Sequence, residues 1–168
     1  MSDFPTCYSF LLPNEDYTPP QYKAGADPTQ SDPSAQAISG INSHFWPQYF
    51  AAINAMPQSE RGPAVQAFYE AEFWNMWLEK IISNRIAAMA LDASVNQGWG
   101  WATKFLQTAA GVEVDGKFGP NTLAAVNEAP TLVLVPAFIE ARQARYRAVG
   151  GPTLPQWLVR AAKVPDFD

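Results

Sequence analysis

Residues 84–111, NRIAAMALDASVNQGWGWATKFLQTAAG, read as two consecutive helices and decide the fold class. The first segment, 84–97, is almost entirely small or apolar, which predicts a helix buried on most sides, and Gly98 is a natural C-cap. The second, 100–111, is amphipathic and stops at Gly111. Downstream, Asp115-Gly116 is a tight-turn signal and Gly119-Pro120 opens another helix with proline in its first turn. Two more helices are expected at 131–149, stopped by Gly150-Gly151, and at 154–163. Upstream, residues 62–81 place Val65, Phe68, Tyr69, Phe73, Met76, Trp77 and Ile81 at helical spacing. Residues 43–56 predict a helix with Ser43 as its cap and Pro47 within its first turns. Residues 13–40 are different: prolines and other turn formers run through them, and they read as one long irregular loop. A loop of that length inside a compact domain is either functional or disordered. The only strand expected is a short piece at 112–114. The predicted class is mostly α, a single domain over 1–168 with a long irregular N-terminal loop.

Composition narrows the function classes. Nearly half of the 168 residues are apolar and 13% are aromatic, enough to build a core without staples. One cysteine, Cys7, leaves no intrachain disulfide, and one histidine, His44, excludes a multi-histidine metal site. No metal and no organic cofactor are expected. The formal charge of −5 argues against nucleic acid. No apolar run approaches a membrane span, and the start MSDFPTCYSF lacks the pattern of a secretory signal, so synthesis in the cytoplasm is expected.

Motifs sharpen this. Residues 84–126 carry Asp92 within a small-residue helix, the step Val95-Asn96-x-Gly98, the pair Leu106-Gln107 and the turn DGKFGPNT at 115–122. The tail from 142 onward adds Arg145-Tyr146, Trp157 and Arg160. Together these resemble the C-terminal part of glycoside hydrolase family 108 N-acetylmuramidases, the lysozyme-like enzymes of phage endolysins and bacterial genomes. The turn by itself also resembles small peptidoglycan-binding helical domains. Its glycines and Pro120 have a purely structural explanation in backbone angles and helix initiation.

The resemblance implies a lysozyme-like helical domain, with a catalytic-loop lobe at 1–60 and a helical lobe at 61–168 carrying the peptidoglycan-binding-like motif. It implies cleavage of the β-1,4 bond between N-acetylmuramic acid and N-acetylglucosamine. The family pattern of Leu-x-x-Glu at a helix end, then Asp-Pro, then Gly-Ile is matched by Leu12 to Glu15, by Asp32-Pro33 and by Gly40-Ile41-Asn42. Aligning on Tyr17 would select Asn14, which cannot donate a proton; the Leu-x-x-Glu spacing selects Glu15. Glycoside hydrolysis needs a carboxyl that is still protonated near neutral pH, and apolar surroundings favour that form. Glu15 follows the apolar run Phe10-Leu11-Leu12, and Asp16 beside it reads as a cap or a surface charge. A second carboxylate would activate water or stabilise the oxocarbenium-like transition state. Asp32 is the first choice and Asp27 the second, either of which also suits a simple turn role.

The chain departs from the family pattern where glycines would follow Glu15 and Pro33, and where Ala37 stands in place of a threonine; Ser39 or Asn42 is the candidate substitute. Tyr17, Asn42, Asn96, Gln97, Trp99 and Trp101 are the expected substrate-binding residues, since sugar rings pack on aromatic faces and their hydroxyls and N-acetyl groups take hydrogen bonds. Trp46, Trp74 and Trp77 could also line a cleft, although Trp77 and Trp157 are expected chiefly in the core. His44 is expected to serve a helix start, and Asp92 to be held by Arg85 or Asn96. The expected partner is bacterial peptidoglycan. A phage endolysin or tail lysin is the expected context, with a holin, virion or secretion machinery giving access to the periplasmic wall. An exported antibacterial muramidase, and a peptidoglycan-binding module without turnover, are the alternatives.

Overall fold

The computed structural model describes residues 1–16, 19–27, 32, 34–74 and 77–168. In chain order these form α1 (Phe4–Glu15), β1 (Gly25–Ala26), β2 (Gln36–Ile38), β3 (Ile41–Asn42), α2 (Pro47–Asn54), α3 (Arg61–Tyr69), α4 (Asn84–Gln97), α5 (Trp99–Ala110), α6 (Pro120–Glu128), α7 (Thr131–Val149) and α8 (Leu154–Ala161). The fold is mostly α, as the periodicity predicts. The chain divides into two compact units, Leu11–Glu72 and Met1–Phe10 with Phe73–Asp168.

In the larger unit, α4 starts where Ser83 accepts a hydrogen bond from the Ile86 N–H, an N-cap that satisfies one of the helix's orphan donors. Residues 86–94 of α4 are all buried, and α5 packs against α4, α6 and α7. The core there is aliphatic and aromatic: Ile86, Met89, Leu91, Leu106 and Phe138 have almost no exposed surface. Gly98 and Gly111 end α4 and α5 with φ of +85° and +69°, conformations that cost a side chain but not glycine.

The smaller unit contains the last residues of α1, all three strands, α2 and α3. The strands form an antiparallel sheet in the order β1-β2-β3, with Gly25 opposite Ala37 and Ile38 opposite Ile41. Leu11, Ile38, Ile41, Val65, Phe68 and Tyr69 make its core.

Several expectations are corrected. The irregular loop at 13–40 holds the end of α1 and two of the three strands, whereas residues 112–114 form none. Strands of two or three residues are too short to show alternation, so periodicity did not reveal them. Ser43 does not cap α2; its N–H and Oγ bond Gln36 O and Gln36 N at 2.8 and 3.0 Å, extending the hairpin, and α2 begins at Pro47. Residues 62–81 are not one helix. After α3 the backbone makes a π-helical turn at Glu70–Trp74, then Trp77 turns left-handed (φ +79°) before a 3-10 turn at Leu78–Lys80. The apolar residues at helical spacing serve two cores: Val65, Phe68 and Tyr69 one, Trp74, Leu78 and Ile81 the other. One straight helix presents a single stripe, so the break separates the two sets. Trp77, expected in the core, is 36% exposed with Lys80 Nζ 4.0 Å from its ring centroid.

Candidate active site

Glu15 is the last residue of α1 and is half-buried. Pro13 sits in the final turn, where a missing N–H costs one ladder bond without interrupting the chain's helical path, and Asp16 N–H still reaches Leu12 O at 2.9 Å. The Glu15 carboxylate lies against Gly40, in the two-residue turn that joins β2 to β3. Ser39 and Gly40 have φ of +46° and +79°, the signs a type I′ hairpin turn requires. A Cβ on Gly40 would collide with Glu15 Oε2 and would stand 2.6 Å from the Tyr69 hydroxyl. Glycine is therefore needed at 40 twice over, for its backbone angle and for the space that the carboxylate and the phenol share.

Tyr69, buried in α3, donates its hydroxyl hydrogen to Ser39 O at 2.6 Å. Ser39 Oγ donates to Asp16 Oδ2 at 2.5 Å, and the same oxygen accepts from Tyr22 N–H at 2.8 Å. On the next strand, Asn42 is buried; its Nδ2 donates to Asp27 Oδ2 at 2.6 Å and its Oδ1 accepts from the N–H groups of His44 and Phe45. Asn42 thus starts the turn into α2 and orients Asp27. Asp32 is exposed and accepts from Ser34 Oγ and N–H at 2.7 and 2.8 Å, an Asx-turn arrangement that lowers its pKa. His44 Nδ1 lies 3.9 Å from it. Tyr17 lies outside the described residues. Among those described, no group of three or more His, Cys, Asp or Glu side chains is arranged to hold a metal ion.

The remaining expected binding residues belong to the larger unit. Asn96 Oδ1 accepts from the Tyr146 hydroxyl, and Gln97 Oε1 accepts from Arg142 Nε at 3.3 Å. Trp99 packs beside Phe118, their centroids 5.6 Å apart. Trp101 is partly exposed, with the Arg145 guanidinium 4.4 Å and Lys104 Nζ 4.8 Å from its ring centroid. Asp92 is fully buried and held by Arg142 at 2.7 Å and Arg160 at 2.8 Å, in place of the expected Arg85 or Asn96. Burial pushes its carboxyl up, but the two guanidinium charges and their hydrogen bonds outweigh burial and hold it below the usual range. Arg85 instead donates to Pro165 O and Phe167 O.

The turn at 115–122 is built around Gln107, which is buried at the end of α5. Its amide nitrogen donates to Asp115 Oδ1, Lys117 O and Thr122 Oγ1, and its carbonyl oxygen accepts from Gly116 N–H. Beside it opens a cavity of about 500 Å³ bordered by Val112, Glu113, Lys117 and Asn121.

Residues 101–151 match the family described as "Predicted Peptidoglycan domain". The matched stretch runs from within α5 through α7 to Gly151 and includes the Gln107 turn. Over almost the whole chain the fold is similar to the structure of Brucella abortus SagA, with a TM-score of 0.62 and 20% identity, covering 94% of this chain and 92% of that one. At that identity the similarity concerns the fold. No curated protein matches the sequence.

Asp16, read in sequence as a cap or surface charge, and Tyr69, read only as an apolar position at helical spacing, were not singled out for the site; Ser39 was, as the substitute for the family's threonine. The available signal was Ser39-Gly40 between two isoleucines, a two-residue hairpin pattern.

Proposed function

We propose that the protein is a peptidoglycan hydrolase of the N-acetylmuramidase type, of the glycoside hydrolase family 108 kind, with Glu15 as the general acid. The observation that carries the reading is the seating of the Glu15 carboxylate over Gly40, in a space kept open by the absence of a side chain. Glu15 would give its proton to the glycosidic oxygen as the C1–O bond breaks, and water would supply hydroxyl to C1 and a proton back. Of the two aspartates, Asp27 is supported better as the second carboxylate, since Asn42 ties it to the strand next to Gly40. Asp32 is engaged locally with Ser34. The peptidoglycan domain match at 101–151 supports the wall as substrate. In this reading the protein works on the wall as a phage endolysin or tail lysin, by way of a holin, virion or secretion route, or as an exported antibacterial muramidase.

The test is Glu15→Gln, which keeps shape and removes the proton. Release of muropeptides from purified sacculi should fall about 10²–10⁴-fold while binding to sacculi persists. Wild-type release at undiminished rate in the variant, or no release by the wild type, sinks the assignment. Mass spectrometry of the new ends separates hydrolysis from lytic transglycosylation, which leaves an anhydro-muramic end. The second reading, a wall-binding module without turnover, is favoured by one fact: the family match lies wholly in the larger unit, and Glu15 in the smaller.

A further inference from the structure

Among the described residues, three non-glycine residues have left-handed backbone angles: Tyr22 (φ +51°), Ser39 (φ +46°) and Trp77 (φ +79°). Such residues are strained and persist only where their surroundings over-determine them, a condition that gathers at functional sites. Two of the three, Tyr22 and Ser39, donate to the same oxygen of the same carboxylate, Asp16 Oδ2. We propose that Asp16 is a positioning residue for Glu15, a latch that holds the Ser39-Gly40 turn in the place where the Glu15 carboxylate rests. Its consequence for turnover rests on the muramidase reading; its geometry does not.

The connections form a closed circuit. Glu15 lies against Gly40, Gly40 follows Ser39, Ser39 Oγ bonds Asp16, and Asp16 follows Glu15 in the chain. The helix end that presents the acid also grips the turn beneath it. A hydroxyl-to-carboxylate hydrogen bond such as Ser39 Oγ to Asp16 fixes the relative positions of the two groups more firmly than a contact between neutral groups. The other side of each strained residue is held from α3. Tyr69 donates to Ser39 O at 2.6 Å, and Arg61 Nη1 donates to Tyr22 O at 3.1 Å. Arg61 is itself fixed by Asn54 O and Met56 O, and Gly62 leaves room for the Tyr22 ring, which a Cβ there would meet at 3.2 Å. With α3 gripping one side, Asp16 is the group that decides whether the turn stays under Glu15.

Two readouts test this on the full-length chain. By NMR the Gly40 amide should follow the ionisation of Glu15, a response identified by its disappearance in Glu15→Gln. Asp16→Ala and Ser39→Gly should abolish the response, the second while relieving backbone strain and so leaving the fold intact. Asp16→Asn, which keeps an oxygen for Ser39 and Tyr22, should retain it. On sacculi, Asp16→Ala and Ser39→Gly should lower kcat about 10²-fold with KM within about twofold, and Asp16→Asn should recover most of the rate. A Gly40 amide that ignores Glu15 in the wild type, or still follows it in both latch variants, overturns the proposal. An inactive wild type with the expected NMR pattern removes the hydrolase assignment and leaves the latch standing. Should Asp16→Ala fail to fold, Ser39→Gly decides alone.

Discussion

Substituting Gly40 by alanine separates what the hairpin turn does for stability from what it does for chemistry. At φ +79° an alanine is strained by about 1–2 kcal/mol relative to glycine. The new Cβ would also stand 2.6 Å from the Tyr69 hydroxyl, closer than carbon and oxygen tolerate. Tyr69 is a buried ring with its hydroxyl committed to Ser39 O, so relief there weakens a hydrogen bond worth about 1 kcal/mol. The third contact, with Glu15 Oε2, is relieved cheaply, because a carboxylate at the end of a flexible side chain swings aside. The sum is about 2–3 kcal/mol, which for a chain of this length lowers Tm by roughly 4–12 °C and leaves the protein folded at 25 °C. The displaced carboxylate is the larger effect: a misplacement of about 1 Å costs on the order of 10²-fold in rate. Thermal melts followed by circular dichroism give the first number, and release of reducing ends from sacculi at 25 °C gives the second. A Gly40→Ala protein that melts within about 1 °C of the wild type refutes the packing argument. One that melts as expected but turns over normally refutes the placement of Glu15 in the chemistry.

Two further outcomes concern the larger unit. Asp92→Asn strands the buried Arg142 and half-strands Arg160, and should cost about 3–5 kcal/mol in urea unfolding. Because the Asp92 carboxyl is held below its ordinary value, the stability it contributes is complete above the unfolded value of about 3.9 and is lost as pH falls through the folded one, so the variant's acid limb should be flatter there. Burial, with the charge of Asp3 adding to it, pushes the Cys7 thiol up to about 12. Native protein at pH 8 should therefore resist a thiol reagent and label only at the rate of unfolding; rapid labelling without denaturant contradicts the burial.

How far the sequence carried the reading depends on how local each cause is. The ends of α4 and α5 were legible because Gly98 and Gly111 stop helices by their own backbone freedom. Pro120 was legible as a helix start for a similar reason. Glu15 was picked out by its spacing from Leu12 and its apolar approach, but the helix it ends was not, because Pro13 within α1 reads as a breaker. The sheet was not, since β1 and β3 have two residues each and β2 three, below the length at which alternation registers. The break between Tyr69 and Leu78 was hidden because apolar residues at helical spacing look the same whether they fill one core or two. Asp92 was legible as a buried charge needing a partner, but its partners stand in α7 and α8, and the nearer Arg85 was the natural choice from sequence.

By itself the sequence determined a mostly helical chain without disulfides, with punctuation strong enough to bound most of its C-terminal helices, and it offered Glu15 as a candidate carboxyl. Only the tertiary structure decided what that carboxyl meets. Gly40 and Ser39 lie more than twenty positions from Glu15 and Asp16, and Tyr69 a further thirty from Ser39. Helix caps, turns and apolar periodicity act over a few residues, where sequence pattern can be read. A close approach of carboxylate to glycine, and a latch across a hairpin, depend on where the packed core brings distant backbone together.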